Sequence, residues 1–164
     1  GLGDVYKRQG NIIQTLKDNG LYENTIIIFA GDNGLAVGQH GLMGKQNVYE
    51  HSVGVPLMIK AAAQHTGKKT ADLCYLIDVF PTLCDMLQLP VPQSVDGISL
   101  LSSLDGKEPV RDYLYYSYMD NQRGISDGTW KLIEYHVNGK RTTQLFNLKN
   151  DPWERNGLLS LIHI

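Results

Sequence analysis

Cysteine is scarce in this chain: Cys74 and Cys84 are its only thiols. Two thiols in apolar surroundings build no disulfide framework, and the reading they favour is structural burial. They leave the redox compartment open. No stretch approaches the roughly 20 apolar residues of a membrane span. Nothing near residue 1 has the pattern of a signal peptide, which bears on these residues and on nothing upstream of them. Neither charge is in excess, with 15 Lys and Arg against 17 Asp and Glu and a formal net charge of −2. Without a basic patch or a long like-charged run, nucleic acid and anionic membranes are not expected partners. There is also no internal repeat and no low-complexity tract.

What is present suffices for a core: 42% of the 164 residues are hydrophobic, enough for one domain of ordinary size. The two ends stand apart. Residues 1–9 and 159–164 resemble translated sequencing-adapter read-through, and the expectation is that both are scars outside the fold.

Residues 10–19 predict a short helix with Ile12, Ile13 and Leu16 on one face and Gly20 as its stop. Thr25 to Ala30 is a continuous, β-branched apolar run, which predicts a strand buried on both faces of a parallel sheet. From Gly31 to Gln46 the glycines Gly31, Gly34, Gly38, Gly41 and Gly44 predict a long irregular loop. Val55–Ile59 predicts a second strand, with Pro56 near its start. Asp78 reads as the N-cap of a helix whose first turn holds Pro81 and whose stripe is Phe80, Leu83, Cys84 and Leu87. Pro90 and Pro92 end it and open a loop to about Asp105. Strands follow at 113–118, 129–136 and 142–148, with Asn138-Gly139 as a type I′ hairpin signal. The organisation is therefore an α/β piece to about residue 65, then an α+β piece with an antiparallel sheet.

The chemistry concentrates in Phe29-Ala30-Gly31-Asp32-Asn33-Gly34, followed by Gly38-Gln39-His40-Gly41-Leu42-Met43-Gly44-Lys45. Asp32 and Asn33 follow a predicted buried strand, where open α/β sheets bind ligands. A carboxylate beside an amide offers two hard oxygens suited to Ca²⁺ or Mg²⁺. Asp-Asn-Gly is also an ordinary turn, and two oxygens do not fill a calcium shell. Lys45 offers an ammonium for an anionic substrate or for developing negative charge, or is simply a solvated loop lysine. His40 offers a donor or general acid, or is merely exposed.

In order and spacing, these segments resemble sulfatases of the alkaline-phosphatase-like superfamily. The likeness runs on through Val48-Tyr49-Glu50-His51-Ser52, Val55–Ile59, Leu76–Leu83, Asp96–Leu100, Trp130–Ile133 and Leu145–Glu154, covering roughly residues 10–158. The resemblance implies part of the sulfatase α/β fold, buried parallel strands with helices, over 10–65. A small α+β C-terminal subdomain with an antiparallel sheet follows over 66–158. It implies that Asp32 and Asn33 help bind Ca²⁺, that Lys45 contacts the sulfate, and that His40 is a substrate contact. It implies hydrolysis of sulfate esters, with a sulfated small molecule or carbohydrate as substrate, and a secreted or periplasmic parent.

The family's nucleophile is formylglycine, made from Cys or Ser in a Cys/Ser-x-Pro-x-Arg motif. Cys74 precedes Tyr-Leu-Ile-Asp, Cys84 precedes Asp-Met-Leu-Gln, and no serine fits. The nucleophile is therefore expected upstream, and this piece alone is expected to be inactive. Gly54 stands where the family often has Arg. A phosphodiesterase or phosphonate hydrolase of the same superfamily and a non-catalytic calcium-binding module are the competing readings. Trp130 and Trp153 read as packing residues, and Tyr113, Tyr115, Tyr116 and Tyr118 as strand faces; His51, His65 and His136 receive no role. The run Thr25–Ala30 is expected to leave sheet edges and an apolar face uncovered, giving poor solubility.

Overall fold

The computed structural model describes residues 2–61 and 67–161. His65, the expected boundary beside it, Gly1 and residues 162–164 lie outside the described residues. The chain divides into two compact units, one drawn from Gly1–Phe29 and Leu57–Lys68, the other from Ala30–Pro56 and Lys69–Ile164.

In the smaller unit, helix α1 (Leu2–Asp18) begins well before the predicted residue 10 and takes in most of the stretch read as a scar. It stops at Gly20, whose φ of 67° is the left-handed conformation a glycine adopts without strain. There the Gly20 amide donates to the Lys17 carbonyl at 3.0 Å and the Leu21 amide to Leu16 at 2.8 Å, a Schellman ending. Strand β1 (Ile27–Ala30) pairs with a later strand at Leu57–Lys60 in a two-stranded sheet. Burial on both faces is not met: Ile27 and Ile28 are half-buried, while Phe29 and Ala30 are exposed. A strand with one neighbour has one open edge and too little covering structure to bury a continuous apolar run.

The larger unit opens with the glycine-rich stretch, which is more ordered than an irregular loop. Strands β2 (Ala36–Val37) and β3 (Met43–Gly44) form a small antiparallel hairpin pairing Ala36 with Gly44 and Val37 with Met43. A tight turn at Gln39–Gly41 joins them, with Gly38, His40 and Gly41 all at positive φ. Helix α2 (Glu50–Val53), a single turn, follows. It was not evident in the sequence, because four residues carry no periodicity. The strand at Leu57–Lys60 is β4.

Helix α3 (Val79–Met86) lies where predicted, but Asp78 makes no side-chain cap to it. The Asp78 carboxylate instead accepts the Tyr75 amide at 2.8 Å and the Ile98 amide at 2.8 Å, and pairs with Arg111. Two distant donors, Ile98 and Arg111, and the nearby Tyr75 amide occupy the carboxylate in place of the cap. The stripe also rotates: Pro81, Thr82 and Cys84 are buried, whereas Phe80 is 52% and Leu87 56% exposed. A short helix α4 (Leu101–Leu104) interrupts the expected loop.

Strands β5 (Leu114–Tyr118), β6 (Gln122–Ser126), β7 (Trp130–Val137) and β8 (Lys140–Asn147) make one antiparallel sheet in sequential order. The polar sequence Gln-Arg-Gly-Ile-Ser hid β6. The β7–β8 turn is Asn138-Gly139, both at positive φ, as predicted. Period-two alternation sends Ile133 and Phe146 inward, where they pack with Val48 and Tyr49, and with the half-buried Tyr116, Tyr118 and Tyr135. Tyr113 and Tyr115 are exposed. Trp130 (43% exposed) and Trp153 (58%) are not buried in this chain, so neither fills the packing role expected of it. Both cysteines are free thiols, Cys84 buried and Cys74 half-buried.

Candidate active site

The Asp32-Asn33-Gly34 turn is tied down on both flanks by the segment that contains α2. The Gly31 amide donates to the Pro56 carbonyl at 3.0 Å, and the Gly34 amide to Ser52 at 2.8 Å. No other residue type fits at Gly34, because a Cβ there would lie 2.0 Å from the His51 carbonyl oxygen.

Within the turn, the Asp32 Oδ1 accepts the Asn33 amide at 2.8 Å, and Asn33 Nδ2 donates to the Gly34 carbonyl at 2.8 Å. With its NH₂ group so engaged, the Asn33 amide keeps its oxygen as the remaining acceptor. Both side chains are exposed. The chemistry of this donor set, one carboxylate and one amide oxygen, fits a hard divalent cation. Among the described residues, no group of three or more His, Cys, Asp or Glu side chains could hold a metal ion. Two oxygens are therefore a partial shell.

The hairpin returns the chain towards this turn. Because Ala36 pairs with Gly44, Lys45 emerges at the same end of the hairpin as Asn33 and Gly34. It is exposed. His40 sits at the opposite end, in the connecting turn. Its ring stacks on Tyr49 with centroids 3.8 Å apart and planes 5° from parallel, and its Nε2 lies 3.2 Å from the Trp153 carbonyl oxygen. The hairpin thus sets Lys45 at its Gly34 end, while the His40 ring lies 5.6 Å from that of His51, whose carbonyl abuts Gly34.

Beneath α2 lies a buried ionic cluster that the sequence reading did not single out. Lys131 is fully buried; its Nζ lies 2.7 Å from Glu50 Oε1 and 3.0 Å from Glu154 Oε1. The ammonium also sits 4.9 Å from the centre of the Tyr116 ring. The other Glu154 oxygen accepts the Glu50 amide at 2.6 Å. Burial pushes the Glu154 carboxyl above its ordinary value despite the opposing pull of Lys131 and the Glu50 amide. Burial, then the nearby His40 and Lys131, pushes His51 down. One signal was available: alternation along β7 puts Lys131 on the same face as Ile133, so a lysine points into the core.

Residues 38–161 match the family described as N-sulphoglucosamine sulphohydrolase, C-terminal, and the chain belongs to that family. It is similar to arylsulfatase K of Bos taurus, at 29% identity over 160 residues, covering 88% of this chain and 29% of that protein. Its fold is similar to that of a protein solved in complex with its substrate D-glucosamine-2-N,6-O-disulfate (28% identity, TM-score 0.74, covering 92% of this chain and 33% of that one). It is similar also to the phosphonate monoester hydrolase of Agrobacterium radiobacter (27% identity, TM-score 0.80, covering 96% and 35%). The chain spans under a third of the length of the curated relative.

Proposed function

We propose that this chain is the C-terminal part of a sulfatase that hydrolyses sulfate esters of carbohydrates. The observation that carries the reading is the clamped Asp32-Asn33-Gly34 turn, with Lys45 returned to the same end of the adjoining hairpin. Asp32 and Asn33 would supply two of the oxygens around Ca²⁺, and the parent's remaining residues the others. When bound, Ca²⁺ polarises the sulfate oxygens and formylglycine, expected upstream, supplies the nucleophile. Lys45 binds a sulfate oxygen and stabilises the negative charge that develops as the ester bond breaks. His40, in the turn at the far end of the hairpin, would contact the substrate. The surrounding fold would be completed by the alkaline-phosphatase-like core of the parent.

The test is hydrolysis by the full-length parent of 4-nitrophenyl sulfate, glucosamine 6-sulfate and a phenylphosphonate monoester. Sulfate esters should be preferred, a chelator should abolish turnover, and Lys45→Ala should lower kcat/KM by about 100-fold. Full activity in Asp32→Ala would sink the site. The likeness to the phosphonate monoester hydrolase supports a second reading; preferred cleavage of the phosphonate monoester would establish it.

A further inference from the structure

We propose that Lys131 and Glu154 are positioning residues through which the C-terminal sheet sets the place of the Asp32-Asn33 turn, with helix α2 as the connecting part. The inference rests on the reading of that turn as the metal-binding element of a sulfatase.

A one-turn helix does not hold itself together, since nucleation costs more than a single turn returns. The residue preceding α2, Tyr49, makes no side-chain cap. Glu154 takes that place from more than a hundred residues away, accepting the Glu50 amide at 2.6 Å. Its other oxygen and the Glu50 carboxylate converge on the same buried ammonium. A buried ammonium must keep its partners, and displacing α2 would take from Lys131 one of its two carboxylates. Lys131 is itself locked in β7, paired with Ser126 on one side and Phe146 on the other. The helix is therefore clamped by its first amide and by its first side chain.

What the helix then holds is the turn. Ser52, within α2, accepts the Gly34 amide at 2.8 Å, and Pro56, just beyond it, accepts that of Gly31 at 3.0 Å. The fit at Gly34 leaves no room for a Cβ. A shift of α2 therefore carries the turn with it. Gly54 belongs to the same fit: a Cβ there would lie 2.8 Å from the Glu50 carbonyl oxygen and 2.9 Å from Glu50 Oε2, crowding the carboxylate that holds Lys131.

The test uses the full-length parent carrying Lys131→Met, Lys131→Arg or Glu154→Gln, with Ile133→Val as a core change in the same strand that spares the cluster. Hydrogen exchange without metal or substrate reads residues 31–36 and 50–54 directly. These should exchange about tenfold faster in K131M and E154Q than in I133V, with K131R recovering most of the protection. Calcium affinity by titration should fall about tenfold in step, as with other outer residues that hold a ligand in place. If K131M does not fold, E154Q carries the comparison. Unchanged exchange at 31–36 in folded E154Q, or an equal rise in I133V, would overturn the proposal. Faster exchange together with wild-type calcium binding in Asp32→Ala would leave the clamp standing and sink the metal reading of the turn.

Discussion

Gly34 meets α2 so closely that its amide donates to Ser52 at 2.8 Å while a Cβ would lie 2.0 Å from the His51 carbonyl. The obstructing atom is backbone, so it has no rotamer through which to yield. Gly34→Ala should therefore destabilise the parent by about 3 kcal/mol, as overpacking against a fixed wall does. Denaturant midpoints check the stability, and calcium titration should show weakened binding in the fraction that folds.

Asp78 predicts an acid-sensitive fold. Burial alone would raise its carboxyl, but hydrogen bonds from Arg111, Ile98 and Tyr75 and the Arg111 charge bring it below its ordinary 3.8. A depressed folded value means that the stabilisation is present above pH 3.8 and is lost as pH falls through the folded value. Asp78→Asn should cost about 3 kcal/mol at pH 7, because it leaves Arg111 without its charge partner. The same variant should show a flatter loss of stability below pH 4 than the wild type. Urea melts of both proteins at pH 7 and pH 3 make the comparison.

His40 stacks face to face on Tyr49, 3.8 Å between centroids. His40→Ala should thus lower stability by about 1 kcal/mol, the scale of a ring pair. If His40 also touches substrate, KM for a carbohydrate sulfate should rise while KM for 4-nitrophenyl sulfate stays put. Equal KM changes for both would remove the carbohydrate contact.

Apolar side chains are uncovered in each unit: Met58 is 59% exposed in one, while Ile77 is 55%, Phe80 52% and Leu87 56% exposed in the other. Expressed by itself, the chain should self-associate and bind a hydrophobic dye. Size-exclusion chromatography with light scattering tests this; a monodisperse monomer that melts cooperatively would contradict it.

The sequence by itself determined the elements whose signals are local. Gly20 ends α1, Asn138-Gly139 turns the last hairpin, and the apolar runs Thr25–Ala30 and Val55–Ile59 mark the strands found at Ile27–Ala30 and Leu57–Lys60. Those signals are set by φ preference and side-chain shape, which act within a few residues. The Asp32-Asn33-Gly34 segment was also legible as a turn, because the side-chain hydrogen bonds that make it are local. Only the tertiary structure decided the rest. A strand as polar as β6 exists because β5 and β7 supply its hydrogen bonds, and a helix as short as α2 because Glu154 and Lys131 hold it. Asp78 leaves its cap to α3 for distant donors at Ile98 and Arg111. Contacts that join residues far apart in the chain outweigh local preference there, since an unpaired buried charge or amide costs more than a missed cap.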